Sequence, residues 1–195
     1  MAKLYYRYGS MASGKSLDIY KIYDNYKRQG KQVVCLVPSL VGEIKSRISE
    51  LRVPSILVHD TSDIEIIVAR YLPNCVLVEE AQFLRKEHIL QLTKVVDIFN
   101  IPVIAYGLKN TYQNTLFEGA YWLLVYADKI EEIKTVCYFC DSKATMVLRL
   151  KDGEPTYEGP EISLKGEEGV DYFPTCRRCY RKPNLNKILG RLING

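Results

Sequence analysis

Apolar and polar positions follow two alternating patterns along the first 130 residues of the chain. Short, continuous apolar runs are typical of buried parallel strands, whereas apolar residues spaced three to four apart are typical of helices. The runs predict strands at Leu4–Tyr8, Val33–Val37, Ser55–His59, Cys75–Val78 and Pro102–Gly107. The spaced segments predict helices at Gly14–Arg28, Asp63–Tyr71 and Lys86–Phe99. Strands that alternate with helices imply a parallel sheet with right-handed crossovers.

After residue 130 the pattern changes to short strand-like segments. They lie at Ile133–Val136, Ala144–Leu150 and Thr156–Tyr157, and the dipeptide Asp152-Gly153 predicts a hairpin turn. No repeat, low-complexity segment or Ser/Pro/Gly-rich linker divides the chain. The change therefore predicts a small β module that follows the parallel sheet.

The composition is that of a globular protein. Of the 195 residues, 47 % are apolar and 26 % are charged, which excludes an intrinsically disordered chain. The longest apolar stretch, Ala120–Ala127, is far too short to cross a bilayer, and the N-terminal segment lacks the apolar core of a signal peptide. We therefore expect a cytoplasmic protein. A net charge of +4 neither demands nor excludes a nucleic-acid partner.

A phosphate-binding motif lies between the first predicted strand and the first predicted helix. In the pattern Gly-x-x-x-x-Gly-Lys-Ser, backbone N–H groups surround phosphate oxygens, the lysine adds a positive charge and the serine hydroxyl can ligate Mg²⁺. The alternative is a glycine turn with an incidental lysine, but the flanking strand and amphipathic helix favour the phosphate loop. The candidate nucleotide ligands are Gly9, Ser10, Met11, Ala12, Ser13, Gly14, Lys15 and Ser16.

Two carboxylates, Glu79 and Glu80, directly follow the predicted strand Cys75–Val78. The carboxyl ends of parallel strands face the nucleotide crevice, and P-loop proteins need a carboxylate there for Mg²⁺. Successive residues point in opposite directions, so one carboxylate can serve Mg²⁺ while the other accepts a proton from a nucleophile. The alternative is an exposed pair of glutamates at a helix entry.

Four of the six cysteines form two Cys-x-x-Cys pairs. Four thiolates make a closed tetrahedral zinc site, which is structural because it leaves no open position; four free cysteines are the alternative. The isolated Cys35 and Cys75 are expected in the core. Basic residues around the second pair either contact phosphates or form a solvated turn that offsets the thiolate charge. The predicted zinc ligands are Cys137, Cys140, Cys176 and Cys179, and the basic residues are Arg177, Arg178, Arg181 and Lys182.

These motifs divide the chain into three parts and set the expected fold class. We expect an α/β protein with a P-loop (RecA-like) parallel-sheet domain at residues 1–130 and a small zinc-binding β module at residues 131–182. A basic tail follows at residues 183–195.

The P-loop, the Glu-Glu-Ala-Gln-Phe box at residues 79–83 and the four-cysteine module together resemble the type II thymidine kinases, of the human cytosolic and bacterial kind. The resemblance covers residues 4–182. It includes Tyr106–Tyr112, which is similar to the family's Gly-Leu-Asp/Arg-x-x-Phe segment, and Phe117 follows at the family's distance. Tyr172, just ahead of Cys176, resembles the tyrosine of the family's substrate lasso.

This resemblance implies ATP-dependent phosphorylation of the thymidine 5′-hydroxyl, giving thymidine 5′-monophosphate (dTMP) for DNA precursor salvage. Glu80 matches the family's catalytic glutamate and would accept the hydroxyl proton. Glu79 and Gln82 would join the P-loop in binding ATP, with Ser16 and Glu79 around Mg²⁺. The family further implies a structural Zn²⁺, a homotetramer without membrane or nucleic-acid partners, and dTTP as a feedback inhibitor. The residues that match the thymine pocket are Met11, Phe83, Leu108, Tyr112, Phe117 and Tyr172.

Three positions depart from the family pattern. Glu79 stands where the family has aspartate, and residues 38–47 lack the family's Asp-x-Arg, so Lys45 or Arg47 must replace that arginine or turnover is poor. The glycines expected before Tyr172 are out of register at residues 166–169. Two other functions stay open, of which only the first is supported by the missing Asp-x-Arg. One is a catalytically weakened sensor of thymidine nucleotides, and the other is a P-loop zinc ATPase that acts on nucleic acid.

Overall fold

The computed structural model describes residues 1–41, 53–160 and 168–186. Its larger sheet has six parallel strands in the order β3-β2-β4-β5-β1-β6. These strands are β1 Leu4–Tyr8, β2 Val33–Pro38, β3 Ile56–Val58, β4 Cys75–Val78, β5 Val103–Gly107 and β6 Lys129–Glu132. The helices are α1 Lys15–Arg28, α2 Ile64–Tyr71, α3 Lys86–Asp97 and α4 Glu118–Tyr126. The predicted α/β class with a parallel sheet is confirmed.

The chain forms two compact units. Of the described residues, 1–8, 14–41, 53–109 and 117–133 make up the first, which we call the parallel-sheet unit. Residues 9–13, 110–116, 134–160 and 168–186 make up the second, the antiparallel-sheet unit. The latter contains β7 Met146–Lys151, β8 Glu154–Thr156 and β9 Val170–Thr175, in the order β8-β7-β9, and the short helix α5 Arg177–Arg181. The boundaries predicted at residues 130 and 182 stay predictions.

Both faces of the parallel sheet are buried. Along β2, Val34 and Leu36 belong to one apolar cluster, while Cys35 and Val37 belong to another. A strand buried on both faces has a continuous apolar sequence, which is why the short apolar runs predicted the central strands correctly. Among the described residues, no helix combines the length and the apolar character that crossing a bilayer requires.

The strand predicted at Ile133–Val136 is wrong in position. The chain instead forms β6 at Lys129–Glu132, which pairs with β1 at the edge of the parallel sheet. Three of the four β6 residues are charged, because an edge strand is partly exposed to water. The apolar pattern therefore missed β6, and Val136 makes only an isolated bridge to Lys143.

Two further elements lacked a readable pattern. Helix α4 is apolar around most of its circumference: Ala120 and Leu123 are buried, whereas Tyr121 and Val125 are exposed, so no helical period separates the two faces. Strand β9 carries a proline and intermediate burial along its length. The hairpin at Asp152-Gly153 is confirmed, with both residues at positive φ between β7 and β8.

Close packing at the start of α4 yields a stability prediction. A Cβ atom on Gly119 would overlap the carbonyl oxygens of Ala81 and Leu84, which are backbone atoms with little freedom to move. We expect Gly119→Ala to lower the free energy of unfolding by about 1–3 kcal/mol, as overpacking of a core does. Val125→Ala, at an exposed site on the same helix, should change it by less than about 0.5 kcal/mol. Urea unfolding of both variants checks this, and equal effects would contradict it.

Candidate functional site

The phosphate loop connects β1 to α1 through residues held in an unusual backbone conformation. Ala12 has φ of 58° and Gly14 has φ of 88°, both in the left-handed region. Gly14 is also the N-cap of α1 and provides no side-chain cap for the first N–H groups of the helix. In the described part of the chain, the shielded Oγ atom of Ser13 has no hydrogen-bond partner. Unsatisfied donors at a helix N-terminus are suited to an anion such as phosphate.

The last residue of the motif contacts the first carboxylate after β4. The Ser16 hydroxyl donates a hydrogen bond to Oε1 of Glu79, which is only 6 % exposed. A hydroxyl and a carboxylate are oxygen ligands of the kind that Mg²⁺ prefers, so this pair fits a magnesium site. The longer side chain of Glu79, relative to the family's aspartate, is thus accommodated against Ser16.

Glu80 occupies a strained position at the entry to a 3₁₀ turn, Ala81–Phe83. Its φ of 49° and ψ of 38° lie in the left-handed region, which costs a non-glycine residue about 1–3 kcal/mol and is concentrated at functional sites. Its Oε2 atom accepts a hydrogen bond of 2.6 Å from Nε2 of Gln82. Glu79 and Glu80 therefore have different partners, as their adjacent positions in the sequence predict.

A chain of hydrogen bonds extends from Gln82 into the sheet. The Oε1 atom of Gln82 accepts from the backbone N–H of Leu108 at 3.0 Å, and the Leu108 carbonyl accepts from the Tyr6 hydroxyl at 2.7 Å. Burial, with a smaller effect of the neighbouring Tyr8, raises the pKa of Tyr6, so this hydroxyl stays protonated. Sequence reasoning missed Tyr6, because nothing in a strand's sequence indicates the partner of a buried hydroxyl.

Sequence reasoning also missed an ionic network that joins α1 to the sheet. Arg7 of β1 contacts Asp18 of α1 at 2.8 Å and Glu131 of β6 at 2.7 Å. The hydroxyl of Tyr106 donates to the same oxygen of Asp18 at 2.8 Å. These bonds hold the first turn of α1, and thereby the end of the phosphate loop, in place.

Three of the predicted thymine-pocket residues lie in the parallel-sheet unit. The rings of Phe83 and Phe117 are in edge-to-face contact with centroids 5.4 Å apart, a favourable geometry. Phe83 and Leu108 are half-buried and pack on the same apolar cluster, to which Phe117 belongs. Phe83, three residues after Glu80, and Leu108 are thus apolar side chains that stay partly exposed.

The other three, Met11, Tyr112 and Tyr172, belong to the antiparallel-sheet unit. The rings of Tyr112 and Tyr172 meet edge to face at 6.2 Å. The Tyr112 hydroxyl donates to the carbonyl of Pro160, and the Tyr112 carbonyl accepts from the Tyr180 hydroxyl at 2.7 Å. The loop at residues 110–116 is therefore fastened to the same unit that contains the four clustered cysteines.

Several predictions concern residues outside the described ranges. The segment that contains Lys45 and Arg47 lies there, as do residues 166 and 167 ahead of Tyr172 and the tail from residue 187 onwards.

The four cysteines of the two Cys-x-x-Cys pairs are clustered. Their sulfur atoms all lie within 4.8 Å of one another, and Sγ of Cys140 is 3.7 Å from that of Cys176 and 3.7 Å from that of Cys179. Zn–S bonds of 2.3 Å in a tetrahedron require sulfur atoms about 3.8 Å apart. The residues present thus fit a structural zinc ion. The cluster comprises Cys137, Cys140, Cys176 and Cys179.

The surroundings of the cluster favour a thiolate at Cys140, whereas burial raises the pKa of the Cys179 thiol to about 12. Hydrogen bonds from Ser142 lower the pKa of the Cys140 thiol to about 6, and this sulfur in turn raises the pKa of Arg178. The guanidinium of Arg178 therefore offsets thiolate charge, the second of the two roles considered for the basic residues. The isolated Cys35 and Cys75 are buried in the core, as expected, and burial raises the pKa of each to about 12.

Comparison with known proteins agrees with the resemblance. A family model described as thymidine kinase matches residues 2–180. A thymidine kinase of Listeria monocytogenes is 50 % identical over 192 residues, which cover 95 % of this chain and 100 % of that protein. Thymidine kinases of Lactococcus lactis and Streptococcus pyogenes are 46 % and 47 % identical, with the same coverage. A match of this extent shows that the chain belongs to the thymidine kinase family.

Proposed function

We propose that the chain transfers the γ-phosphoryl group of ATP to the 5′-hydroxyl of thymidine, giving dTMP and ADP for DNA precursor salvage. The contact between Ser16 and Glu79 carries this proposal. It joins the end of the phosphate loop to the end of β4, and it leaves Glu80, the next residue, available for a different task. Family membership identifies the nucleoside as thymidine.

In the proposed step, the 5′-oxygen of thymidine forms a bond to the γ-phosphorus of ATP. The bond between that phosphorus and the β–γ bridging oxygen breaks, ADP leaves, and the hydroxyl proton passes to Glu80. Phosphoryl transfer depends mostly on positioning and charge stabilisation, so one carboxylate within hydrogen-bond reach is sufficient as the base. Residues 9–16 with Glu79 are the proposed ATP-binding set; Gln82, whose amide faces Glu80 and Leu108, is left out of it.

Two metal ions are part of the proposal. Ser16 and Glu79 would hold Mg²⁺, which neutralises charge on the β- and γ-phosphates when it is bound. The four clustered cysteines would hold Zn²⁺, whose contribution is structural because the four thiolates close its coordination sphere.

Family membership supports a proposed thymine-binding set of six residues, four of them aromatic. Within the parallel-sheet unit Phe83 contacts Phe117, and within the antiparallel-sheet unit Tyr112 contacts Tyr172; flat aromatic surfaces suit a flat base. The proposed set is Met11, Phe83, Leu108, Tyr112, Phe117 and Tyr172.

Family membership also supports three finer proposals: a homotetramer, feedback inhibition by dTTP, and a cytoplasmic location. None of the six cysteines, all of which lie in the described ranges, forms a disulfide bond, as is usual in a reducing compartment. Light scattering should give four times the mass of one chain. In the product assay, dTTP should inhibit dTMP formation competitively with thymidine. A monomer, or an enzyme insensitive to dTTP, would overturn the corresponding proposal.

The test of the function is product formation by the full chain. With thymidine and Mg²⁺-ATP, we expect dTMP and ADP in equal amounts, separated and quantified by chromatography. ATP hydrolysis that requires DNA and yields no dTMP would support the nucleic-acid ATPase instead. Binding of dTTP without any turnover would support the sensor, with the departures at residues 38–47 as its cause.

A further inference from the structure

We propose that Gln82 is a positioning residue, whose amide group holds the carboxylate of Glu80 in the orientation that proton transfer requires. This inference rests on the proposed role of Glu80 as the base, and it gives Gln82 a task other than direct ATP binding. Gln82 is only 2 % exposed, so its amide must form its hydrogen bonds within the protein.

The hydrogen-bond partners determine which way the amide points. The backbone N–H of Leu108 can only donate, so the atom of Gln82 that faces it at 3.0 Å must be the oxygen Oε1. The nitrogen Nε2 consequently faces Glu80, where it donates to Oε2 at 2.6 Å. Hydrogen bonds to an ionised carboxylate are about twice as strong as neutral ones, so this bond restrains the Glu80 side chain effectively.

The amide itself is held by its surroundings. The Leu108 carbonyl accepts a hydrogen bond of 2.7 Å from the buried Tyr6 hydroxyl, which holds the backbone of Leu108 in place. The backbone N–H of Leu108 in turn holds the Gln82 amide. A Cβ atom on Gly107 would lie 2.5 Å from Oε1 of Gln82 and 3.1 Å from its backbone nitrogen. The absence of a side chain at residue 107 is therefore what leaves room for the amide.

Glu80 needs such a restraint because its own backbone is strained. A residue with φ of 49° keeps that conformation only when its surroundings hold it there. A displacement of a reacting group by about 1 Å can cost about 10²-fold in rate. The series of hydrogen bonds from Tyr6 through Leu108 and Gln82 to Glu80 therefore holds the proposed base in position.

The main test is Gln82→Met, which preserves length and removes both hydrogen bonds. We expect kcat for dTMP formation to fall about 10²-fold, while KM for thymidine and KM for ATP change by less than about threefold. Gly107→Ala should reproduce the loss by displacing the amide. The matched control is Gln91→Met. Gln91 lies on α3, away from Glu80 in the chain, and its Oε1 atom also accepts a hydrogen bond from a backbone N–H, that of Ile64. The kcat of this control should stay within about twofold of the parent value.

Combination with Glu80→Gln separates positioning from a general structural effect. If Gln82 acts through Glu80, the double variant should lose little more activity than Glu80→Gln alone; independent losses would multiply. Multiplied losses, or an increase in KM for ATP at unchanged kcat, would overturn the inference. Full turnover by Glu80→Gln would instead remove the base from the proposed function. Urea unfolding of each variant identifies any that fail to fold, and Gly107→Ala then provides the second measurement.

Discussion

Replacement of Glu80 by glutamine should remove most of the turnover while ATP still binds. Glutamine is isosteric with glutamate but cannot accept the proton of the 5′-hydroxyl, and general base catalysis contributes about 10²–10⁴-fold. We therefore expect kcat to fall by that factor. ATP binding should persist, because Glu80→Gln changes none of the proposed ATP ligands. Steady-state dTMP formation and calorimetric titration with ATP measure the two quantities.

The control for this prediction is Glu87→Gln, an equal loss of charge at an exposed position on α3. Its kcat should match that of the parent. Unchanged turnover in Glu80→Gln would remove Glu80 from the mechanism, and loss of ATP binding would show that its role is not confined to the proton.

The elements around the phosphate loop could be predicted because their signals are local. Leu4–Tyr8 was predicted with its observed bounds, and α1 begins one residue after the predicted Gly14. The strand Cys75–Val78 also has its predicted bounds, and Glu79 and Glu80 directly follow its carboxyl end. A motif within eight residues, or a pair directly after a buried strand, needs no knowledge of distant contacts.

The hydrogen bonds that hold Glu80 in position could not be predicted, because most of them join residues that are distant in the sequence. Tyr6 and Leu108 are 102 residues apart, and Gln82 and Leu108 are 26 apart. No periodicity or spacing encodes which backbone group a buried amide will meet. The edge strand β6 was not predicted for a related reason. It forms by pairing with β1, while its own residues are mostly charged.

The antiparallel-sheet unit contains one feature that the sequence predicts and one that depends on contacts distant in the sequence. The cysteine spacing predicted the zinc site, and the four sulfur atoms are indeed close enough to share one ion. The attachment of the loop at residues 110–116 to this unit, through Tyr112 and Tyr180, was not predictable. The antiparallel-sheet unit thus contains both the four-cysteine cluster and a segment that the family resemblance assigns to the thymine pocket.

Loss of zinc should therefore abolish turnover, although the ion takes no part in the reaction. A structural zinc ion contributes on the order of 10 kcal/mol to the folding of a small module, as much as the whole stability of many domains. We expect about one zinc per chain in the parent. Cys176→Ser should lose the metal, the β-sheet signal of the module and dTMP formation together. Mass spectrometry of the metal, circular dichroism and the product assay measure these.

The matched control is Cys75→Ala, which removes a thiol from the core of the parallel sheet rather than from the cluster. This variant should retain its zinc and most of its activity, since burial keeps the Cys75 thiol protonated and out of any metal chemistry. If the parent stripped of zinc by a chelator remained fully active, the zinc assignment would be wrong. If Cys176→Ser kept its fold but lost activity, zinc would matter for the position of Tyr112 and Tyr172 rather than for folding.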